Sequence, residues 1–405
     1  MYVRRHLAPT LHRVLQQFPV VLITGPRQSG KTTFLKNELG DRAAYVSFDD
    51  PLEREFARTD PNGFLARFDA RPVVLDEIQY VPGLLPYLKL RVDAERRRYG
   101  RWILTGSQQF ALMQGVSESL AGRVALLELL PFDLDEADEA APRDLAEALW
   151  TGFYPEPALE PAKRDAWLRS YLATYVERDV RQVLNVKDHF AFEQFLGLVA
   201  ARHGQIVNMA DLGRDAGVSK PTVKSWLGIL QASYVIRLVQ PWFQNYGKRL
   251  AKSPRLYFVD PALPQLLTRQ PSAQAALAGA LGGALFEGLV AGEAVKAFTS
   301  RGLAPDVWMW RAQDGLEVDL LVRTPRGLLP IEVKLTTTPS AKHVEPLTRF
   351  CGLAANDACP QGALVCRVEK PTALPHGHTA LPWREFPAWL GERLSYSMTP
   401  TPAGR

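Results

Sequence analysis

The residues Gly25-Pro26-Arg27-Gln28-Ser29-Gly30-Lys31-Thr32 satisfy the spacing G-x-x-x-x-G-K-[ST] and follow the apolar run Val20-Val21-Leu22-Ile23. This is the chemistry of a phosphate cradle: glycines let backbone amides turn inward, Lys31 reaches the β and γ phosphates, and the Thr32 hydroxyl is placed to ligate Mg²⁺. Thr33 continues the first turn of a helix expected from about Lys31 to Leu39, whose N-terminal dipole favours anions. The pattern predicts binding of ATP with Mg²⁺.

A second apolar run, Val73-Val74-Leu75-Asp76-Glu77, ends in two acids. Asp76 would hold Mg²⁺, directly or through water, and Glu77 would orient or deprotonate the attacking water. Leu104-Thr105-Gly106-Ser107 gives a polar strand tip beside the expected γ phosphate, where Ser107 either senses hydrolysis or simply caps the next helix. Arg123, in Ser119-Leu120-Ala121-Gly122-Arg123-Val124, is either a surface arginine or one that stabilises transition-state charge in cis or from a neighbouring subunit.

A second set of acids lies near the C-terminus. Glu317-Val318-Asp319-Leu320-Leu321-Val322 and Leu328-Leu329-Pro330-Ile331-Glu332-Val333-Lys334 read as two strands around a Pro-Arg-Gly turn. Alternation puts Glu332 and Lys334 on one face and lets Asp319 converge on them. The set looks like the D…(D/E)-x-K signature of restriction-endonuclease-like nucleases, with Glu287 on the preceding helix as a further acid. Asp319, Glu332 and Glu287 would then hold a second Mg²⁺ or Mn²⁺, and Lys334 would position water. The same spacing also fits a salt-bridged hairpin, or a groove that only binds DNA.

Between these sites, Met209 to Ala216, the turn Gly217-Val218-Ser219 and Lys220 to Ser233 have the rhythm of a winged helix-turn-helix, with Tyr234 to Val239 and Arg255 to Val259 as strands. Lys220, Thr222 and Lys224 open the second helix, and Lys248, Arg249, Lys252 and Arg255 form a basic wing, together a surface for DNA phosphates. Packing between subunits is the other use of such a module. Trp226, Leu227 and Leu230 read as core rather than base-stacking groups.

These residues need several domains to position them. A chain of 405 residues implies two or three at roughly 150 residues each. Hydrophobic (46%) and charged (22%) fractions are those of a globular protein. No run approaches the roughly 18 apolar residues of a membrane span, and the N-terminus lacks a signal region. Cys351, Cys359 and Cys366 have neither an even count nor metal-type spacing, so a reduced, cytoplasmic protein without structural zinc is expected. A net charge of +5 permits a polyanionic partner. Strand and helix patterns alternate to about residue 130, apolar residues recur at helical spacing from Asp165 to about Ala201, and Ser395 to Arg405 reads as a flexible tail.

The phosphate loop, Leu75-Asp76-Glu77-Ile78-Gln79, Leu104-Thr105-Gly106-Ser107, Leu120-Ala121-Gly122-Arg123 and Tyr175-Val176-Glu177-Arg178-Asp179 together resemble the bacterial and archaeal AAA-type ATPases that carry the C-terminal domain of unknown function 4143. The resemblance spans nearly the whole chain. It implies an α/β protein in four parts: a P-loop AAA-type ATPase domain (1–135), a helical connector (136–203), a winged helix-turn-helix (204–262) and a restriction-endonuclease-like α/β domain (263–395), then the tail (396–405). It also implies active hydrolysis, and it favours the transition-state role for Arg123 in a homo-oligomer. The sites themselves leave two functions open: a DNA-dependent ATPase motor, with metal-dependent cleavage of duplex or branched DNA as its sharper form, or a nucleotide-switched regulatory or scaffold protein whose nuclease-like domain only binds DNA or partners. Tyr2 and Pro19 lie near enough in sequence to contribute to an adenine pocket.

Overall fold

The computed structural model describes residues 2–106, 119–139, 142–176, 189–243, 253–312, 314–354 and 357–395. Five strands, β1 (Val20–Thr24), β2 (Ala44–Ser47), β3 (Val73–Asp76), β4 (Trp102–Thr105) and β5 (Val124–Glu128), form a parallel sheet ordered β2-β3-β4-β1-β5. The central strands are buried along their whole length, which is why they read as unbroken apolar runs; β5, at the edge, alternates and leaves Leu126 47% exposed. Because β4 lies between β1 and β3, its carboxyl end falls between the phosphate loop and the acidic strand tip. Ile23 pairs with Thr105, and Leu75 with Leu104.

Between residues 134 and 201 every described element is a helix, joined by short non-helical turns. Helices Met209–Ala216 and Lys220–Ala232 follow, then the antiparallel pair β6 (Ile236–Val239) and β7 (Arg255–Phe258). Asn208 and Ser219 cap the two helices through side-chain oxygens, and Gly217 turns between them in the left-handed region. A single core runs from Tyr154 through Phe192, Phe195 and Trp226 to Leu263. Trp226, Leu227 and Leu230 lie inside it.

The C-terminal part is a six-stranded mixed sheet, β8 (Val307–Arg311), β9 (Glu317–Thr324), β10 (Gly327–Val333), β11 (Ala363–Cys366), β12 (Thr372–Ala373) and β13 (Thr379–Pro382), ordered β12-β13-β11-β10-β9-β8. Helix Ala341–Leu353 packs on one face through Val344, Leu347 and Phe350. Helix Gly282–Thr299 packs on the other and is buried nearly all round, as befits a helix enclosed by neighbours on every side. Its last turns reach the segment that follows β5: Lys296 Nζ donates to the Phe132 carbonyl at 2.7 Å, and Glu293 accepts from the Leu134 amide at 3.1 Å. Among the described residues, no helix is long and apolar enough to cross a membrane.

Candidate functional site

The loop after β1 is shaped by two glycines. Gly25 has φ 144°, and a Cβ there would stand 2.1 Å from the Leu129 carbonyl oxygen; Gly30 has φ 89° and caps helix Lys31–Leu39. Both conformations are costly for any other residue. Lys31 is buried, and its ammonium donates to the carbonyls of Gly25 (3.0 Å) and Pro26 (2.8 Å). Burial lowers its pKa to about 8, against the opposing pull of Glu77 and Asp76.

Asp76, at the end of β3, gathers three hydroxyls. Thr32 donates at 3.0 Å, and Tyr45 and Thr105 also donate to it. Burial and the Asp76 bond push the Tyr45 phenol well above its ordinary range, so it stays a donor. Glu77 follows with φ 59° and ψ 46°, a left-handed conformation uncommon for a residue with a side chain. Its amide donates to Thr105 Oγ1 at 3.1 Å, and the Gln79 amide donates to its carboxylate. Thus Lys31, Thr32, Asp76 and Glu77 converge, with Tyr45 as a contact that sequence reasoning did not single out.

Arg5 was also missed. Its buried guanidinium donates to Ser29 O (2.9 Å), Leu130 O (2.6 Å) and Glu136 (2.9 Å), holding the phosphate loop against the start of the helical region. Arg123 forms a bidentate pair with Asp93 at 2.6 and 2.9 Å and donates to Ala121 O. Tyr2 donates to Glu38 at 3.0 Å, and Pro19 accepts from the Trp102 amide through its carbonyl. Ser107 lies outside the described residues, as do Glu177, Arg178 and Asp179.

The second group of acids is brought together as well. Asp319 Oδ2 accepts from the Val333 amide (2.9 Å) and Lys334 (3.2 Å), and Lys334 also pairs with Glu332 at 2.6 Å. One residue changes the reading. Arg255, expected on an exposed wing, is 5% exposed and donates to Glu287 (2.5 Å), Glu317 (2.9 Å) and Asp319 (3.3 Å). The reason is topological: Arg255 opens β7, and that strand lies against helix Gly282–Thr299, where Tyr257 also donates to Glu287 at 2.5 Å. Burial, then the Asp319 charge, raise Glu332 to about 8 and Glu287 to about 7. The Asp319 and Glu332 charges hold Lys334 above its usual pKa, outweighing burial.

These groups do not fit a divalent cation as they stand. Such an ion wants about six oxygen ligands. Here Arg255 and Lys334 take oxygens of Glu287, Asp319 and Glu332, and Glu332 Oε2 is buried without a hydrogen-bond partner.

Lys220 and Lys224 are exposed on helix Lys220–Ala232, while the Thr222 hydroxyl is engaged by the cap residue Ser219 at 2.8 Å. Lys248, Arg249 and Lys252 lie outside the described residues. The chain entering that loop is anchored: the Trp242 amide donates to Met309 O at 2.7 Å, and its buried indole packs edge-on against Phe350.

Comparison with known proteins gives three family matches along the chain. Residues 17–137 match an AAA domain family, 142–274 the domain of unknown function DUF8612, and 282–386 the domain of unknown function DUF4143. The uncharacterized proteins Rv2008c of Mycobacterium tuberculosis and Mb2031c of Mycobacterium bovis are each 35% identical over 343 residues, covering 83% of this chain and 75% of theirs. Among solved structures, the Walker-type ATPase paby2304 of Pyrococcus abyssi is 16% identical, covers 66% of this chain and 96% of its own, and has a TM-score of 0.45. The RuvB Holliday junction branch migration motor of Thermotoga maritima is 18% identical over 61% of this chain and 94% of its own, with a TM-score of 0.32. With its AAA domain, its C-terminal DUF4143 domain and these relatives, the chain belongs to the family of AAA-type P-loop ATPases that carry a C-terminal DUF4143 domain.

Proposed function

We propose that the protein is an ATP hydrolase that binds DNA and uses hydrolysis to move a winged helix-turn-helix module and a restriction-endonuclease-like domain relative to it. The observation that carries the hydrolase reading is the convergence of Thr32, Thr105 and Tyr45 on Asp76, with Glu77 beside them. Backbone amides of residues 25–33 would cradle the phosphates of ATP, and Lys31 would leave the Gly25 and Pro26 carbonyls for the β and γ oxygens. Thr32 and Asp76 fit Mg²⁺, which would neutralise charge developing on the phosphates. Glu77, held by Thr105 and Gln79, would orient the attacking water. Arg123 would serve a neighbouring copy in a homo-oligomer, and for that it must exchange Asp93 for the phosphate.

The exposed ammoniums of Lys220 and Lys224 support DNA phosphates as the ligand of the module, with Lys248, Arg249 and Lys252 assigned to the same surface. The proposed parts keep the boundaries 1–135, 136–203, 204–262 and 263–395, in a cytoplasmic protein. A specific observation favours a binding rather than cutting role for the C-terminal domain: Arg255 and Lys334 neutralise its acids. The test is phosphate release from ATP without DNA and with single-stranded, duplex and branched DNA. Stimulation by one of them supports the reading; equal turnover in all four conditions overturns the DNA-dependent part and leaves a nucleotide switch.

A further inference from the structure

The four carboxylates around Arg255 come from three elements. Glu287 lies on helix Gly282–Thr299, Glu317 and Asp319 on β9, and Glu332 on β10. Arg255 reaches three of them from β7, a strand of the preceding module, and Lys334 covers the fourth. Its guanidinium forks between Glu287 and Asp319 through Nη1 and Glu317 through Nη2, a planar geometry suited to carboxylates. The buried members of this cluster, Asp319 and Glu332, need a cation, since like charges held close together in a poorly solvated site are otherwise driven to take up protons.

We infer that Arg255 is the resident cation of the C-terminal acidic cluster, standing where a divalent ion would otherwise bind and tying β7 to helix Gly282–Thr299 and β9. The cluster is therefore an intramolecular guanidinium site, and it becomes a divalent-cation site when Arg255 is withdrawn. Its other donors suit that ion: hard carboxylate oxygens from Glu287, Asp319 and Glu332, with Glu332 Oε2 already unpartnered and buried. Two further ties fix Arg255 in place. It bridges Ile206 across the module, and two residues on, Tyr257 shares Glu287. Displacing β7 would thus open the cluster and free the module together. The inference does not rest on ATP hydrolysis or DNA binding, and its test reads neither.

The experiment counts Mn²⁺ bound by the nucleotide-free full chain, by electron paramagnetic resonance titration, in four proteins: wild type, Asp319→Asn, Arg255→Ala and the double variant. Wild type and Asp319→Asn are expected to bind the same number of ions. Arg255→Ala is expected to gain one, lost again in the double variant, and Mn²⁺ is expected to raise its melting temperature more than that of wild type. Loss of one ion on going from wild type to Asp319→Asn would overturn the inference, because a divalent ion would then share the cluster with Arg255. A folded Arg255→Ala protein that gains no ion would overturn it as well. If Arg255→Ala does not fold, the wild-type and Asp319→Asn pair decides.

Discussion

The Tyr234 hydroxyl donates to Thr24 Oγ1 at 3.2 Å, joining the residue that leads into β6 to the residue directly before the phosphate loop. Thr24 in turn donates to the Leu127 carbonyl on β5, and the Tyr234 ring packs with Leu130 and Val295, so ATPase sheet, helical module and C-terminal helix meet at one point. Tyr234 holds this place in the left-handed region, at φ 59°. Tyr234→Phe keeps the ring and removes the bond, at a net cost of about 0.5–1.5 kcal/mol. Basal hydrolysis should be nearly unchanged, while, if the proposed stimulation by DNA exists, it falls about fivefold or more, the scale of a coupling free energy between sites. Rates with and without DNA check this, and unchanged stimulation would show that the signal takes another route.

Lys31 gives a pH dependence with a defined sign. Burial lowers its pKa to about 8, so the nucleotide-free ammonium is charged below that pH and neutral above it. Phosphate binding requires the charge. Affinity for an ATP analogue should hold up to pH 8 and then fall about tenfold per unit as a proton must be taken up on binding. Lys31→Met should bind weakly and without this slope. The unfolded chain keeps the same proton to higher pH, so this group makes the nucleotide-free protein more stable as pH rises through 8. Fluorescence titration across that range, for wild type and variant, tests both the position and the direction.

Glu77→Gln separates binding from turnover. The side chain lies next to the Asp76 cluster and is held by Gln79, and the substitution keeps its shape while removing the negative charge. Hydrolysis should drop about 10²–10⁴-fold, the range for a lost general base, with ATP affinity retained. A comparable loss of affinity would assign Glu77 to binding instead.

Arg5 couples the N-terminal segment to the loop through three bonds made at 5% exposure. Arg5→Ala leaves the buried Glu136 with the His6 and Asp133 amides but without its guanidinium, which costs about 3–5 kcal/mol. Melting temperature should fall steeply, and adding Glu136→Gln should recover part of it by removing the stranded charge. No recovery in the double variant would mean that the bonds to Ser29 and Leu130 carry the effect.

Local spacing was enough to bring Gly25, Gly30, Lys31, Thr32, Asp76 and Glu77 together, because they are fixed by two strand-to-turn segments that each declare themselves. Contacts from distant elements were not legible. Tyr45 reads as one aromatic of a strand until the β2–β3 register sets it opposite Val74, from where its hydroxyl reaches Asp76 two residues on, and Arg5 precedes any motif. Arg255 was misread for a physical reason: in Lys252-Ser253-Pro254-Arg255 it resembles a basic loop, and only the placement of β7 against helix Gly282–Thr299 turns it inward. Asp319, Glu332 and Lys334 converge as alternation required, yet their spacing gave no sign that Arg255 would stand among them.

The module's lysines provide the remaining test. Lys220 and Lys224 stand exposed at the start of a helix capped by Ser219, and their neighbours Val223, Trp226 and Leu227 are buried, so the substitutions should leave the core intact. If these ammoniums contact phosphates, Lys220→Ala and Lys224→Ala should each weaken DNA binding about equally for any sequence and reduce the slope of log affinity against log salt by about one. A base-reading role would give sequence-dependent losses instead. Unchanged affinity and slope in the double variant, measured by anisotropy across a salt series, would remove this helix from the DNA surface and favour its use in packing against another subunit.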